Sequence, residues 1–169
     1  MTQSIDAAQD IEGVLQFLRD HALRLATAES CTAGLMAGHF ADVSGSGAAL
    51  EVGFVVYAPE AKMGVLGVAG DTIDTYGLTS IEVTRELALG ALKRSRADIV
   101  IANTGMAESD NQLDGLICFV CAMRVDGEAR WTGESVRFDG ARNAVREAGA
   151  LHGLLNLPVY YQRLLAGAE

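Results

Sequence analysis

Cysteine, proline and basic residues are all scarce in this chain, and each shortage closes off a class of protein. Three cysteines among 169 residues, Cys31, Cys118 and Cys121, are too few for a disulfide framework and fit a reducing compartment. Two prolines beside 19 glycines, with 50% of the residues apolar, describe a chain able to bury a full core. Lys and Arg number 13 against 22 Asp and Glu, a formal net charge of -9. Such a field repels a phosphate backbone, so no nucleic-acid partner is expected. A small anionic ligand stays compatible, because a pocket can be locally positive. Long apolar runs are lacking too. No stretch reaches the ~20 residues that cross a bilayer, and residues 1–13 have neither the basic start nor the apolar run of a secretory signal. No membrane partner and a cytoplasmic location are therefore expected. The sequence has no repeat, low-complexity tract or linker, and its length suits one domain over 1–169. His21, His39 and His152 stand apart from one another and from any Cys or carboxylate cluster, so no metal or cofactor is expected.

What is present is an alternation of helical and extended patterns. Ile11, Val14, Leu15 and Leu18 have helical spacing within residues 7–21. A short apolar strand follows over 23–27, runs through Ala28-Glu29-Ser30-Cys31-Thr32-Ala33-Gly34, and gives way to a helix over 35–41. Asp42 to Gly47 is a loop by composition. Residues 52–57 are β-branched and aromatic, hence a strand, and 59–66 a short helix. Thr79-Ser80 followed by Glu82 and Glu86 starts a helix that continues to about Arg94. Residues 98–102 form a buried strand ending at Asn103-Thr104-Gly105. Residues 116–125 and 128–138 are strands joined by Asp126-Gly127, a strong hairpin signal. A helix covers 140–155, and Pro158 begins or precedes a last short one. Helices before, between and after strands indicate a three-layer α/β/α domain with a mixed central sheet.

Four places carry candidate chemistry. A strand that ends in small hydroxyl residues at a helix start exposes backbone N–H groups to an anion such as phosphate, which nominates Ser30, Cys31, Thr32 and Gly34; an ordinary N-cap by Ser30 or Thr32 is an equal reading. Ser44-Gly45-Ser46-Gly47 lets the backbone approach a ligand at Gly45, or is a plain surface loop. Tyr57 ends a strand with Lys62 about one turn beyond it. A partly desolvated Lys has a lowered pKa and can act as base to a Ser such as Ser46 or Ser30; a solvated surface Lys is the plainer alternative. Thr104 and Gly105 sit at the carboxyl end of a buried strand, where ligands collect in open α/β sheets, or they simply make a capping turn. Arg142 and Arg146, four apart near a helix start, could reach a phosphate or face solvent. Cys118 and Cys121 are three apart in a strand and so face opposite sides, which excludes a shared metal or a mutual disulfide.

The order of these segments resembles the C-terminal domain of the CinA family. Ala28 to Gly34 is similar to that family's AESCTGG, and Gly53-Phe54-Val55-Val56-Tyr57 with Glu60-Ala61-Lys62 to its GFVTYSNEAK. Gly64 to Val68 continues the likeness, as do Glu82-Val83, Gly90-Ala91-Leu92 and Ala97-Asp98. Thr104-Gly105-Met106-Ala107 resembles TGIAG, and Phe138, Gly140, Arg142 and Ala144-Val145-Arg146 the late FxGDRxAVR segment. The likeness covers roughly residues 10 to 160 and would make this a stand-alone CinA C-terminal-like chain. It implies a homodimer that binds a small nucleotide or amide ligand. The implied reaction is hydrolysis of nicotinamide mononucleotide to nicotinic acid mononucleotide and ammonia, without metal or cofactor. The implied roles are a Ser nucleophile, a Lys base at Lys62 and an assisting Tyr at Tyr57.

Three positions depart from the family pattern. Its loop reads D-x-x-G-S-S-A with the second Ser as nucleophile; Gly47 stands there, and Ser46 aligns with the first Ser. The glycine-rich segment that follows TGIAG is replaced by Glu108 to Gly115, shorter and acidic. The first glycine after AESCT is Ala33. The expectation is impaired or altered amidase activity, with a non-catalytic ligand- or protein-binding module as the alternative.

Overall fold

The computed structural model describes residues 7–167. The first helix, α1 (Ala7–Asp20), leads to strand β1 (Leu25–Glu29), helix α2 (Leu35–Ala41) and strand β2 (Leu50–Val55). A one-turn helix, α3 (Pro59–Ala61), passes into a π-helical turn over Lys62–Leu66 and then into α4 (Gly70–Tyr76) and α5 (Ile81–Arg94). Strand β3 (Ile99–Gly105), the hairpin β4 (Leu116–Val125) and β5 (Glu128–Arg137), and helices α6 (Arg142–Leu155) and α7 (Leu157–Ala166) complete the described chain.

The five strands form one sheet in the order β2-β1-β3-β4-β5. β2, β1 and β3 are mutually parallel, and β4 and β5 antiparallel, so the sheet is mixed as expected. Period-two alternation assigns the faces. Leu25, Ile99, Ile101, Cys121 and Met123 pack with Leu18, Phe40, Leu154 and Tyr160 from α1, α2, α6 and α7. Ala26, Ala28, Val100, Ala102, Val120 and Ala122 pack with Val83, Leu87 and Ala91 of α5 and with Leu66 of the π turn. Each large aliphatic side chain so buried contributes about 1.5–3 kcal/mol, and the two layers together give the α/β/α arrangement.

Several boundaries move from their sequence expectations. The first strand is Leu25–Glu29 rather than 23–27, and the second Leu50–Val55 rather than 52–57. Apolarity marks what is buried, but pairing sets the ends: Leu25 lies opposite Leu50, and Glu29 opposite Val55. β3 runs on to Gly105 because Asn103, Thr104 and Gly105 still pair with β4. The single helix expected over 59–66 is a three-residue helix followed by the π turn. The helix over Gly70–Tyr76 has no counterpart among the sequence expectations. Other signals hold in detail. Ser80 caps α5 by accepting from the Val83 N–H at 3.3 Å. Asp126 and Gly127 take φ of 53° and 84°, the double left-handed turn that matches strand twist. Cys121 packs in the α1/α6/α7 layer while Cys118 Sγ meets Ser135 Oγ at 3.4 Å, and all three cysteines are free. Among the described residues, no helix is long and apolar enough to cross a membrane, and no cluster of three His, Cys, Asp or Glu could hold a metal ion.

Candidate active site

The carboxyl ends of the three parallel strands meet along one edge of the sheet, and most of the nominated residues gather there. Ser30 follows the last residue of β1, Tyr57 and Lys62 follow β2, and Thr104 and Gly105 end β3. Ser30 is 6% exposed, and its N–H donates to Asn103 O at 3.2 Å. The strands remain paired past Glu29, since Val56 N–H donates to Glu29 O at 2.9 Å. Ser30 therefore stands beside Val56, about 5 Å away across the ladder. By alternation its side chain shares the α5 face with Ala26 and Ala28.

Lys62 is buried at this corner, 2% exposed. Its Nζ donates to the carbonyls of Val56 at 3.1 Å and Tyr57 at 2.7 Å. Burial pushes the Lys62 pKa below its usual 10.5, and interaction with Cys31 acts the other way. A neutral amine has two hydrogens and one lone pair. In the neutral form the two carbonyl acceptors take those hydrogens, and the lone pair is then free to accept a proton. The reading of Lys62 as a solvated surface residue is thereby replaced. Tyr57 is 55% exposed, and its hydroxyl accepts from Arg142 Nη2 at 2.9 Å. Arg142 thus brings the start of α6 to the same edge. Thr104 Oγ1 donates to Leu78 O at 3.0 Å. Gly105 lies against β4, where a Cβ would sit 2.7 Å from Leu116 O.

The turn from Ser30 to Gly34 is organised differently from the sequence expectation. Glu29, fully buried, turns its carboxylate under the start of α2. It accepts from the N–H groups of Gly34 (3.2 Å), Met36 (2.9 Å) and Ala37 (3.0 Å), and from the hydroxyls of Thr32 (2.7 Å) and Thr27 (3.0 Å). Ala33 and Leu35 N–H donate to Ser30 O and Thr32 O. The anion expected at this helix start is the protein's own, and the donors of Thr32 and Gly34 are taken inside the fold. Neither Ser30 nor Thr32 is the N-cap; that position is Gly34, with no side-chain cap bond. Asn103 Nδ2 donates to Thr32 Oγ1 at 2.8 Å. Arg146 holds the turn from above, donating to Cys31 O at 2.8 Å and Thr32 O at 3.3 Å. Burial pushes the Cys31 thiol up to about 12 despite the nearby Arg146 guanidinium. Cys31 is accordingly a protonated thiol at neutral pH, donating to Asn103 Oδ1 at 3.4 Å.

Ser46 and Gly45 lie elsewhere. They precede β2, whose start adjoins the start of β1 through the bond from Leu25 N–H to Ala49 O at 2.7 Å. This loop is at the amino edge of the parallel strands, a strand length of roughly 15 Å or more from Lys62. Ser46 Oγ donates to Ala41 O at 3.4 Å, and Gly45 O accepts from Arg19 Nη2 at 3.0 Å. Ser46, expected to share one pocket with Ser30, Tyr57, Lys62 and Thr104, therefore lies at the opposite edge of the sheet from them. Gly47 shares this remote edge, with nothing within 4 Å of where a Cβ would be. The acidic segment 108–115 folds on itself. Asp114 Oδ1 accepts from Ser109 N–H at 2.8 Å, and Arg137 donates to the carbonyls of Asp114 and Gln112.

Glu29 and Asn103 are the structural members of this edge that sequence patterns did not assign roles, while Arg146, nominated for a phosphate, instead binds the backbone of the turn. A carboxylate closing an otherwise apolar strand, shortly before a helix, was the available signal for Glu29, since such a charge must find donors when buried.

The CinA C-terminal domain model matches residues 8–160. The chain is 38% identical over 156 residues to the putative competence-damage inducible protein of Symbiobacterium thermophilum, covering 85% of this chain and 36% of that protein. It thus spans about a third of the length of this relative. It is 37% identical over 163 residues to the nicotinamide-nucleotide amidohydrolase PncC of Escherichia coli K12, covering 93% of this chain and 95% of that one. Among solved structures, the competence/damage inducible protein CihA from Agrobacterium tumefaciens superposes with a TM-score of 0.84 at 32% identity, covering 94% of this chain and 97% of that one. With the family model spanning nearly the whole described fold, and relatives alike in sequence and architecture, the chain belongs to the CinA C-terminal domain family.

Proposed function

We propose that this protein is an amidohydrolase that cleaves the carboxamide of nicotinamide mononucleotide or a close pyridine nucleotide, using Ser30 as nucleophile and Lys62 as base. The carrying observation is the buried Lys62, whose Nζ is held by the carbonyls of Val56 and Tyr57 just past the end of β2, the parallel neighbour of the strand that Ser30 follows. Similarity to the amidohydrolase of Escherichia coli supplies the substrate class. In this scheme Ser30 Oγ attacks the carboxamide carbon while its proton passes to Lys62 Nζ. The C–N bond breaks, and ammonia leaves with that proton. Water then attacks the acyl ester, giving up a proton through Lys62 and releasing the acid and free Ser30. Tyr57 and Arg142, already hydrogen-bonded at the rim, face the substrate, and Arg142 is suited to its phosphate. Thr104 and Gly105 form the floor from β3. Gly47 has no place in this scheme, because its loop occupies the other edge of the sheet.

The second reading is a binding module without turnover. It is favoured by Gly47 at the family's nucleophile position and by the altered segment 108–115. Ammonia release from nicotinamide mononucleotide separates the two. The amidase reading expects turnover by wild type, loss of at least ~100-fold in Ser30→Ala, and less than a tenfold change in Gly47→Ser. Calorimetric binding of the mononucleotide without ammonia release selects the second reading. Strong activation by Gly47→Ser would move the nucleophile to that loop. The homodimer implied by the family is supported by the apolar side chains exposed at the end of β2 and in the segment that follows it, Val55, Tyr57, Met63 and Val65; sedimentation as a monomer at micromolar concentration counts against it.

A further inference from the structure

We infer that Glu29 is a positioning residue for Ser30, acting as a built-in anion that fixes the turn on which the nucleophile is carried; this rests on the amidase reading above. Glu29 is the last residue of β1 and Ser30 the next. A fully buried carboxylate is costly to desolvate unless its oxygens are saturated with donors. Here five donors converge on the two oxygens, at 2.7 to 3.2 Å. Oε1 takes Thr32 Oγ1 and the N–H groups of Gly34 and Met36, and Oε2 takes Thr27 Oγ1 and the N–H of Ala37. Four of the five donors lie beyond Ser30 and one before it. The carboxylate therefore ties the strand that enters Ser30 to the turn and helix that leave it.

The turn needs such a tie. Ala33 and Gly34 are consecutive left-handed residues, with φ of 49° and 95°. α2 has only 7 residues, too few to stand without external support. The same carboxylate closes this helix start to any outside anion, leaving Arg142 and Arg146 as the cationic side chains that α6 brings to the edge.

The test uses the full chain and compares wild type, Glu29→Gln and Thr32→Val. Gln keeps one acceptor oxygen and turns an NH2 toward backbone donors. Thr32→Val removes one donor to Glu29, and with it the acceptor of Asn103 Nδ2, at constant shape. Each protein is assayed for ammonia release from nicotinamide mononucleotide at a temperature where circular dichroism shows it fully folded. A shift of the nucleophile by roughly an ångström lowers rate by on the order of 100-fold. The expected result is a kcat loss of that order in Glu29→Gln and ~10-fold in Thr32→Val, with KM within about twofold. A merely structural role lowers the melting temperature but leaves kcat per folded molecule unchanged. That result, or a rise in KM with kcat intact, overturns the inference. If Glu29→Gln does not fold, Thr32→Val decides alone by the same criterion. Failure of the amidase reading shows itself separately, as absent turnover in wild type or full turnover in Ser30→Ala, both with Glu29 intact, and removes the inference with it.

Discussion

Replacing Gly90 by Ala should destabilise the protein although Ala is the better helix former. Gly90 lies inside α5, where Gly→Ala alone gains about 1 kcal/mol. A Cβ at this position, however, would press into the backbone carbonyl oxygen of Leu66, with the carbonyl carbon at 3.0 Å and Leu66 Cβ at 3.2 Å. Ordinary contact requires the π turn to retreat by about an ångström. Overpacking of this kind costs ~1–3 kcal/mol. The displaced carbonyl also accepts from Arg94 Nη1 at 2.9 Å, a bond worth ~1 kcal/mol that the movement weakens. The net expectation is a loss of about 1–2 kcal/mol, or a melting temperature lower by roughly 2–8 °C in a chain of this size. Because the same turn begins at Lys62, and Val68 N–H donates to Lys62 O at 3.2 Å, the amine should move with it. Turnover should then fall by tenfold or more. Urea unfolding followed by circular dichroism, with unchanged m, reads the first effect and ammonia release the second. A midpoint that rises as helix propensity alone dictates would refute the packing of α5 on the π turn.

Three further outcomes follow from particular residues. Lys62→Met should abolish turnover yet leave the fold standing, because an apolar side chain of similar shape replaces a buried amine. Since burial lowers the folded-state pKa of Lys62 below 10.5, the unfolded chain binds more protons between the two values. Wild-type stability therefore gains with rising pH across that window, and the variant, measured by urea titration from pH 8 upward, should lack this contribution; identical profiles would count against it. Glu134 accepts from Tyr160 Oη at 2.6 Å and His152 Nε2 at 2.9 Å, with Arg163 at 3.7 Å. Burial alone would raise its pKa, but these partners outweigh burial and hold it below the usual 4.5. Its contribution is thus present above pH 4.5 and lost as the pH falls through the lowered folded-state value. Glu134→Gln should cost ~1 kcal/mol at pH 7, and the gap between the two unfolding midpoints should narrow in acid; a constant gap would disprove the linkage. Ala33→Gly should stabilise by up to ~1 kcal/mol, since Ala33 holds a left-handed φ of 49° that glycine adopts freely. A lower melting temperature for that variant would show that the turn does not strain Ala33.

Local chemistry determined much of this protein from sequence alone. The β4–β5 hairpin follows from Asp126-Gly127 between alternating strands, because only a few residues need cooperate to set a two-residue turn. The start of α5 follows from Ser80, whose hydroxyl meets an N–H three residues on, and the opposite facing of Cys118 and Cys121 from the two-residue period of a strand. The candidate site was legible in its members but not in its grouping. Tyr57, Lys62, Ser30 and Thr104 are recognisable as strand-end polar residues. That Ser46 and Gly47 belong to the other edge depends on β2 running parallel to β1, a pairing between segments some 25 residues apart. The burial of Lys62 depends on the π turn packing against α5, and the role of Glu29 on donors drawn from both β1 and α2. Periodicity and capping act over one or two turns of chain and so are written locally. Burial of a charge, and the edge of the sheet to which a loop belongs, are decided only when distant strands choose their partners.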